Sequence, residues 1–258
     1  MGGLLAAAFG ERAPFAIAAV AAFITLLLTA LTLDETVSPE QRTANRQAGR
    51  RALAPRQILG NPALVMVLVV AFGGQFAFGM IQATFALFGE AVLFAGESEQ
   101  AANLGIGLLL GTVGFGQFMT QVAILPRLLR HLDDARLVLA GSLLRALGLG
   151  LLALITSPYP AAASVLVFAV GTGLMMPPLQ SISTRTVPDA MRGGVLGVYQ
   201  SAISLAIIGS TAISGSLFAL EPHLPYGVGM VLFLLMALPI LALRRRVQPR
   251  LPEAAPEA

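Results

Sequence analysis

Long apolar runs alternate with short polar breaks along the whole chain. Seven runs approach or exceed the ~20 residues that a helix needs to cross a bilayer core: Ala13–Leu33, Pro62–Leu87, Leu104–Leu125, Leu137–Ile155, Ala161–Ile182, Val195–Leu220 and Tyr226–Leu243. Proline-rich corners mark the breaks, as at Ser157-Pro158-Tyr159-Pro160 and Glu221-Pro222-His223-Leu224-Pro225. The pattern predicts an all-α polytopic membrane protein. Ahead of the first run, Gly2–Phe9 is apolar but short. At ~1.5 Å per residue it covers about 12 Å, less than half a bilayer, and reads as the outer end of a helix whose beginning is absent.

Charge gives these runs a direction. The chain has 16 basic residues, every one of them Arg. Fourteen fall in four segments: Arg42, Arg46, Arg50, Arg51 and Arg56; Arg127, Arg130 and Arg136; Arg185 and Arg192; Arg244, Arg245, Arg246 and Arg250. The alternate connections are poor in Arg: Gly10 to Pro14 has only Arg12, and Phe88 to Leu104, Thr156 to Pro160 and Leu220 to Pro225 have none. Cytoplasmic loops collect Arg, so the alternation counts crossings and predicts an integral protein of the cell (inner) membrane with its C-terminus cytoplasmic. Odd parity then puts Ala13 outside.

Composition excludes several classes. The chain is 56% hydrophobic and 11% charged, with mean hydropathy +0.81, where a soluble domain carries roughly 25% charged residues. The pI near 10.2 does not imply nucleic acid, because the basic residues form separate juxtamembrane clusters suited to anionic headgroups. With no Cys, thiol chemistry, disulfides and cysteine metal sites are excluded. His131 and His223 lie in connections on opposite sides, and neither a His-Glu-x-x-His nor a Gly-x-Ser-x-Gly pattern occurs. The sequence therefore predicts no enzyme, no cofactor and no metal. A retinal protein is excluded because there is no Lys for a Schiff base.

The chain also carries an internal repeat. Gly3-Leu4-Leu5-Ala6 leads through a polar corner to Pro14-Phe15 and an apolar run; Gly215-Ser216-Leu217-Phe218-Ala219 leads through Glu221 and His223 to Pro225-Tyr226 and another. Such repeats are common in transporters. The second copy closes a set of six runs that follows the polar, Arg-rich linker. By symmetry the first closes an earlier set, of which only the end is present.

A six-helix unit, a basic linker and a preceding unit resemble the plan of the major facilitator superfamily, and motifs agree. Leu33-Asp34-Glu35-Thr36 resembles the ending of the sixth helix in drug-exporting members. Leu125 to Arg136, with Arg127, Arg130, Asp133, Asp134 and Arg136, resembles the second copy of the family's basic cytoplasmic loop motif. The stretch Val187 to Ser201, with Pro188, Arg192, Gly193 and Gly197, is similar to the entry into helix eleven in the tetracycline-resistance-like branch of drug:proton antiporters. Gly2-Gly3 resembles the end of that branch's Gly-Pro-x-x-Gly-Gly motif, and Gly209-Ser210 departs from its Gly-Pro on helix eleven. The resemblance implies this division: residues 1–36, a remnant of an N-terminal bundle (end of helix five and helix six); 37–60, a cytoplasmic linker; 61–246, the six-helix C-terminal bundle; 247–258, a disordered cytoplasmic tail.

Polar residues inside the runs are the functional candidates, since burying them is costly. No Asp or Glu lies in the central part of a run; Glu90, at an outer end, reads as solvated. Arg145 lies well inside a run. It either faces a central cavity, opposite an acid of the other bundle or an anionic substrate, or reaches to the cytoplasmic headgroups. Gln75 and Gln82, seven apart, share a helix face, as do Gln117 and Gln121, four apart. Beside Phe78 and its neighbours these amides suit a cavity for amphipathic compounds; the competing role is interhelical hydrogen bonding. The Gly105, Gly107, Gly111, Gly114, Gly116 pattern predicts close helix packing. The expected partners are a small-molecule substrate, protons and the lipid bilayer. The resemblance implies proton-coupled export of small amphipathic compounds. The alternatives are a non-transporting fragment or scaffold, and a carrier for a small metabolite. A facilitator cavity lies between two bundles, so transport calls for an opposing half or for self-association.

Overall fold

A computed structural model describes residues 12–32, 55–188 and 191–246. Among these the elements are α1 (Ala13–Thr32), α2 (Pro55–Leu59), α3 (Pro62–Phe88), α4 (Glu99–Met119), α5 (Leu125–Leu128), α6 (Asp134–Leu152), α7 (Pro158–Arg185), α8 (Arg192–Leu220) and α9 (Leu224–Arg244), with π-helical turns at Gly89–Leu93 and Thr120–Ile124. Seven of the helices are long and apolar enough to cross a membrane, matching the seven runs. Gly2–Phe9, Leu33-Asp34-Glu35-Thr36, Asp189 and residues 247–258 lie outside the described residues.

Local chemistry sets the boundaries. Asn61 caps α3 by accepting from the Leu64 amide at 3.1 Å, with Pro62 supplying the first turn. Ser98 caps α4, accepting from the Ala101 amide at 3.3 Å, so this helix starts five residues before the apolar run that predicts it. The π turn carries the preceding helix to Leu93, so the predicted Phe88–Leu104 connection shrinks to residues 94–98. Gly96, at φ +88°, makes the reversal that a side chain would resist. Within the expected linker, residues 55–59 are helical.

The long helices pack in an arc, α4 against α7, α7 against α6, α6 against α9, α9 against α3, and α3 against α8. The two ends of the arc are the least buried: 22% of the apolar stretch of α4 and 17% of α8, against 56% and 61% for α6 and α7. None of the apolar stretch of α1 is buried, in keeping with a helix whose packing partners lie elsewhere.

Glycines set the tightest seam. A Cβ on Gly141 of α6 would lie 2.6 Å from the Gly171 carbonyl oxygen of α7, and one on Gly148 would lie 2.8 Å from the Phe168 amide and the Ser164 carbonyl. Lipid tails are as apolar as Leu, so such close van der Waals contact, rather than dehydration, holds membrane helices together. Hydroxyls add little between helices, because most turn back on their own: Thr84 to Met80, Thr120 to Gly116, Thr172 to Phe168, and on α8 Ser201 to Gly197, Ser210 to Ile207 and Ser214 to Thr211. Ser142 is different, donating across to the Phe233 carbonyl of α9 at 2.8 Å.

The Arg-rich connections share one end of the bundle. Asn61 donates to the Thr186 carbonyl at 2.8 Å, tying the start of α3 to the end of α7, and Arg185 pairs with Asp134 at the start of α6. The Arg-poor connections share the other end, where His223 approaches the Ile155 carbonyl at 3.4 Å and stands edge-on to Phe88, 5.2 Å between ring centres. Because the chain has no cysteine, single cysteines read this directly. Asp133→Cys and Thr186→Cys should label from one side of a sealed vesicle, Gly96→Cys and Tyr159→Cys from the other. Labelling of positions 133 and 96 from the same side would refute the arrangement.

Candidate functional site

The helix α3 carries the candidates that the structure brings nearest to one another. Gly74 faces inward: a Cβ there would lie 3.2 Å from Met175, 3.6 Å from Phe233 and 3.9 Å from Arg145 Nη1. Gly79 faces Ser210 of α8. At 100° per residue, Gln75 and Gln82 fall between these two directions. They form one strip that opens between the bundle centre and α8, with Gln75 half-buried and Gln82 exposed. Phe72 and Phe76 stack at 6.0 Å on the same helix.

Arg145 is fully buried, with 0% exposure. Its guanidinium lies 4.2 Å from the ring centre of Phe233, 5.1 Å from Phe168 and 5.5 Å from Phe78, with Nη1 3.6 Å from the sulfur of Met175. Among the described residues, Nε and Nη2 meet no hydrogen-bond acceptor. Three aromatic faces from α3, α7 and α9 therefore stand where a carboxylate would normally be. Each desolvated cation–π contact stabilises by up to about 2 kcal/mol, which offsets part of the several kcal/mol that burying a charge costs. The expectation that Arg145 reaches the headgroups is corrected, whereas an opposing acid or a substrate is not part of this bundle. The side chain neither reaches headgroups nor lines an open surface, because α6 stands at the middle of the arc and its Gly seam draws Arg145 inward against α7.

The amides Gln117 and Gln121 belong to a different seam. Gly116 is buried against Leu166 and Ala169 of α7, and Thr120 packs on Gly173. Gln117 and Gln121 flank that contact, each half-buried, with Gln121 inside the π turn. The glycine expectation for α4 divides. Gly105 packs on Phe94 and Gly116 on α7, whereas nothing in the structure comes within 4 Å of a Cβ built on Gly107 or Gly114. The same holds for Gly193, Gly197 and Gly215 of α8. Small residues thus face outward on both ends of the arc.

The loop-motif residues hold the Arg-rich end. Asp133 caps α6, accepting from the Arg136 amide at 2.7 Å and meeting Arg136 Nε at 3.1 Å. Asp134, 5% exposed, meets Arg185. Arg127 donates to the Ala123 carbonyl at 2.5 Å. Arg130 and Pro188 are exposed, and Arg192 opens α8.

Sequence reasoning missed Phe168, Phe233 and Met175, which surround Arg145, and Ser142, which ties α6 to α9. Phenylalanines and methionines in apolar runs carry no local signal. The seven-residue spacing of Gly141 and Gly148 was the available sign of a seam.

Comparison with known proteins agrees with this architecture. The chain is 29% identical over 248 residues to the class C tetracycline resistance protein of Escherichia coli, covering 95% of the chain and 60% of that protein. It is 27% identical over 221 residues to the class D tetracycline resistance protein of Salmonella ordonez, covering 84% and 53%. The chain therefore spans little more than half the length of these relatives. Among solved structures, the peptide transporter POT in complex with sulfate superposes with a TM-score of 0.65 at 20% identity, covering 82% of this chain and 44% of that one. Its complex with alafosfalin gives 0.61 at 18% identity, covering 78% and 42%. The sequence profile of the Major Facilitator Superfamily matches residues 80–258, and the chain belongs to that superfamily.

Proposed function

We propose that this bundle is one half of a proton-coupled exporter of small amphipathic compounds, with its Arg-rich end cytoplasmic in the inner membrane. The observation that carries the reading is the unpartnered arc. Its end helices α4 and α8 expose Leu108, Phe115, Leu205 and Ile208. They also present Gly107, Gly114, Gly193 and Gly197 to open space, as a face that packs closely on other helices would. Between them the Gln75–Gln82 strip offers amide groups among phenylalanines, a lining that takes apolar bodies and orients them with a few hydrogen bonds. The likeness to tetracycline resistance proteins supports drug export over metabolite uptake. Alternating access needs a second bundle to rock against this one, supplied by an N-terminal half or by a second copy. Where an N-terminal half supplies the second bundle, the proton-coupling carboxylates are assigned to it, since the described acids of this bundle lie at helix ends.

The test is uncoupler-sensitive extrusion of N-phenyl-1-naphthylamine, an uncharged fluorescent amphiphile, from a pump-deficient host, with residues 1–258 expressed alone and joined behind five further helices that complete an opposing bundle with α1. Extrusion by the joined protein only is the expected result. Extrusion by residues 1–258 alone would mean that two copies supply both halves, whereas a correctly inserted joined protein that extrudes nothing would defeat the reading. In the active form, Gln75→Leu and Gln82→Leu should each shift the range of extruded compounds at normal protein level. Lower protein level or melting temperature with an unchanged range would instead assign the two amides to helix packing.

A further inference from the structure

We propose that Arg145 is a specificity-determining residue that acts through its field, and that the preferred substrate is an anionic amphiphile such as an aromatic carboxylate. This rests on reading the Gln75–Gln82 strip as the substrate surface. The guanidinium keeps its charge in proteins. Phe78, Phe168, Phe233 and Met175 surround it, the uncharged phenol of Tyr199 on α8 lies within its electrostatic reach, and among the described residues two of its nitrogens meet no acceptor. A π face attracts a cation but carries no net charge, so the box holds Arg145 without neutralising its field at a distance.

The described acids are all at the ends of the bundle. Glu90, Glu97, Glu99 and Glu221 lie at the Arg-poor end, the last beside His223. Asp133 and Asp134 lie at the other, paired with Arg136 and Arg185. Asp134 starts the helix that carries Arg145, eleven residues away, or ~16 Å along the axis. The middle of the bundle therefore bears a positive charge with no described partner.

That charge lies close beneath the strip. Arg145 Nη1 is 3.9 Å from where a Cβ on Gly74 would be, and Gln75 is the next residue. At ~8 Å and an effective dielectric of about 20, a unit positive charge favours a unit negative charge by roughly thirtyfold over a neutral group. It disfavours a cation to the same degree. A charge buried out of contact thereby selects among substrates without touching them, and it offers no binding contact that would have to be released with each turnover.

The absence of native cysteine allows a direct reading of the field. Gln75→Cys places a sole thiol on the strip, and a neutral iodoacetamide reacts with its thiolate. Alkylation at pH 7.5, relative to the rate at pH 10, should fall about tenfold or more when Arg145→Met is added. Met has a similar length and fills irregular space well, and the exchange removes a charge that has no acid partner, so the bundle is expected to stay folded. A melting curve checks this. Binding of 1-naphthoate and 1-naphthylmethylammonium to the unmodified chain in phosphatidylcholine nanodiscs provides the second reading. The carboxylate should bind about tenfold more tightly, and Arg145→Met should remove that preference.

Equal relative alkylation with and without Arg145 would overturn the field, whatever the transport assay shows. A naphthoate preference that survives Arg145→Met would overturn the role in specificity. A thiolate effect with neither probe bound would uphold the field and overturn the strip as a substrate surface, which is a failure of the functional reading.

Discussion

Gly141→Val is expected to destroy the folded bundle, or at the least to lower its stability by ~3 kcal/mol. The added atoms would meet backbone: the Gly171 carbonyl at 2.6 Å and the Met175 amide at 2.8 Å. Side chains can rotate away from such an intrusion, but a helix backbone can only move as a whole. A Cβ on Gly171 would meet the mirror situation, 2.7 Å from the Gly141 carbonyl and 2.8 Å from the Arg145 amide. Overpacking a yielding core costs about 1–3 kcal/mol, and the upper end or beyond applies where nothing yields. Separating α6 from α7 would also pull Arg145 away from Phe168 and Met175. Gly107→Val supplies the control, since the space around that glycine is open within 4 Å. Size-exclusion profiles and melting temperatures in detergent should show Gly141→Val aggregated or strongly destabilised and Gly107→Val close to the parent. A Gly141→Val protein that melts with the parent would rule out the close α6–α7 seam.

Arg185→Met should be nearly as damaging. Asp134 is 5% exposed and meets Arg185 across the Arg-rich ends of α6 and α7. Removing one partner leaves a buried carboxylate uncompensated, a loss of ~3–5 kcal/mol for a fully buried pair and somewhat less here, at the edge of the membrane. Adding Asp134→Asn to Arg185→Met removes the stranded charge. The double variant should therefore recover a large part of the lost melting temperature. If the single and double variants melt alike, the damage comes from some other contact of Arg185. Asp133, one residue earlier, should behave differently. Its cap on α6 is solvent-facing, and Asp133→Ala should cost about 1 kcal/mol.

The seven crossings were legible because a bilayer imposes a length and an apolar character that no other constraint mimics. Which connections share an end was legible from charge, since Arg marks alternate connections, and the structure gathers Asn61, Thr186, Asp134 and Arg185 at one end. Helix ends were read less well. Ser98 starts α4 well before its apolar run, and the π turn at Gly89–Leu93 carries the preceding helix past the end of its run. Facing was the least legible. A helix that is apolar all round gives no periodic signal of what it packs against, so the strip of Gln75 and Gln82 could be drawn as one face without knowing which neighbours flank it. Arg145 shows the limit most clearly. Its position in the sequence marked it as unusual, but its partners come from three other helices and are ordinary residues for a membrane span.

The hydroxyls that bond back to their own helices have a mechanical consequence. Ser201, Ser210 and Ser214 satisfy themselves within α8, so sliding this helix along α3 breaks none of these bonds. At α6 the situation is opposite. Interlocked glycines hold it to α7, the Ser142 bond ties it to α9, and the Arg145 box engages both. The bundle thus has a stiff spine and a low-friction rim. Any stroke this half performs would cost least in shear of the rim, with the spine carrying its charge along unmoved.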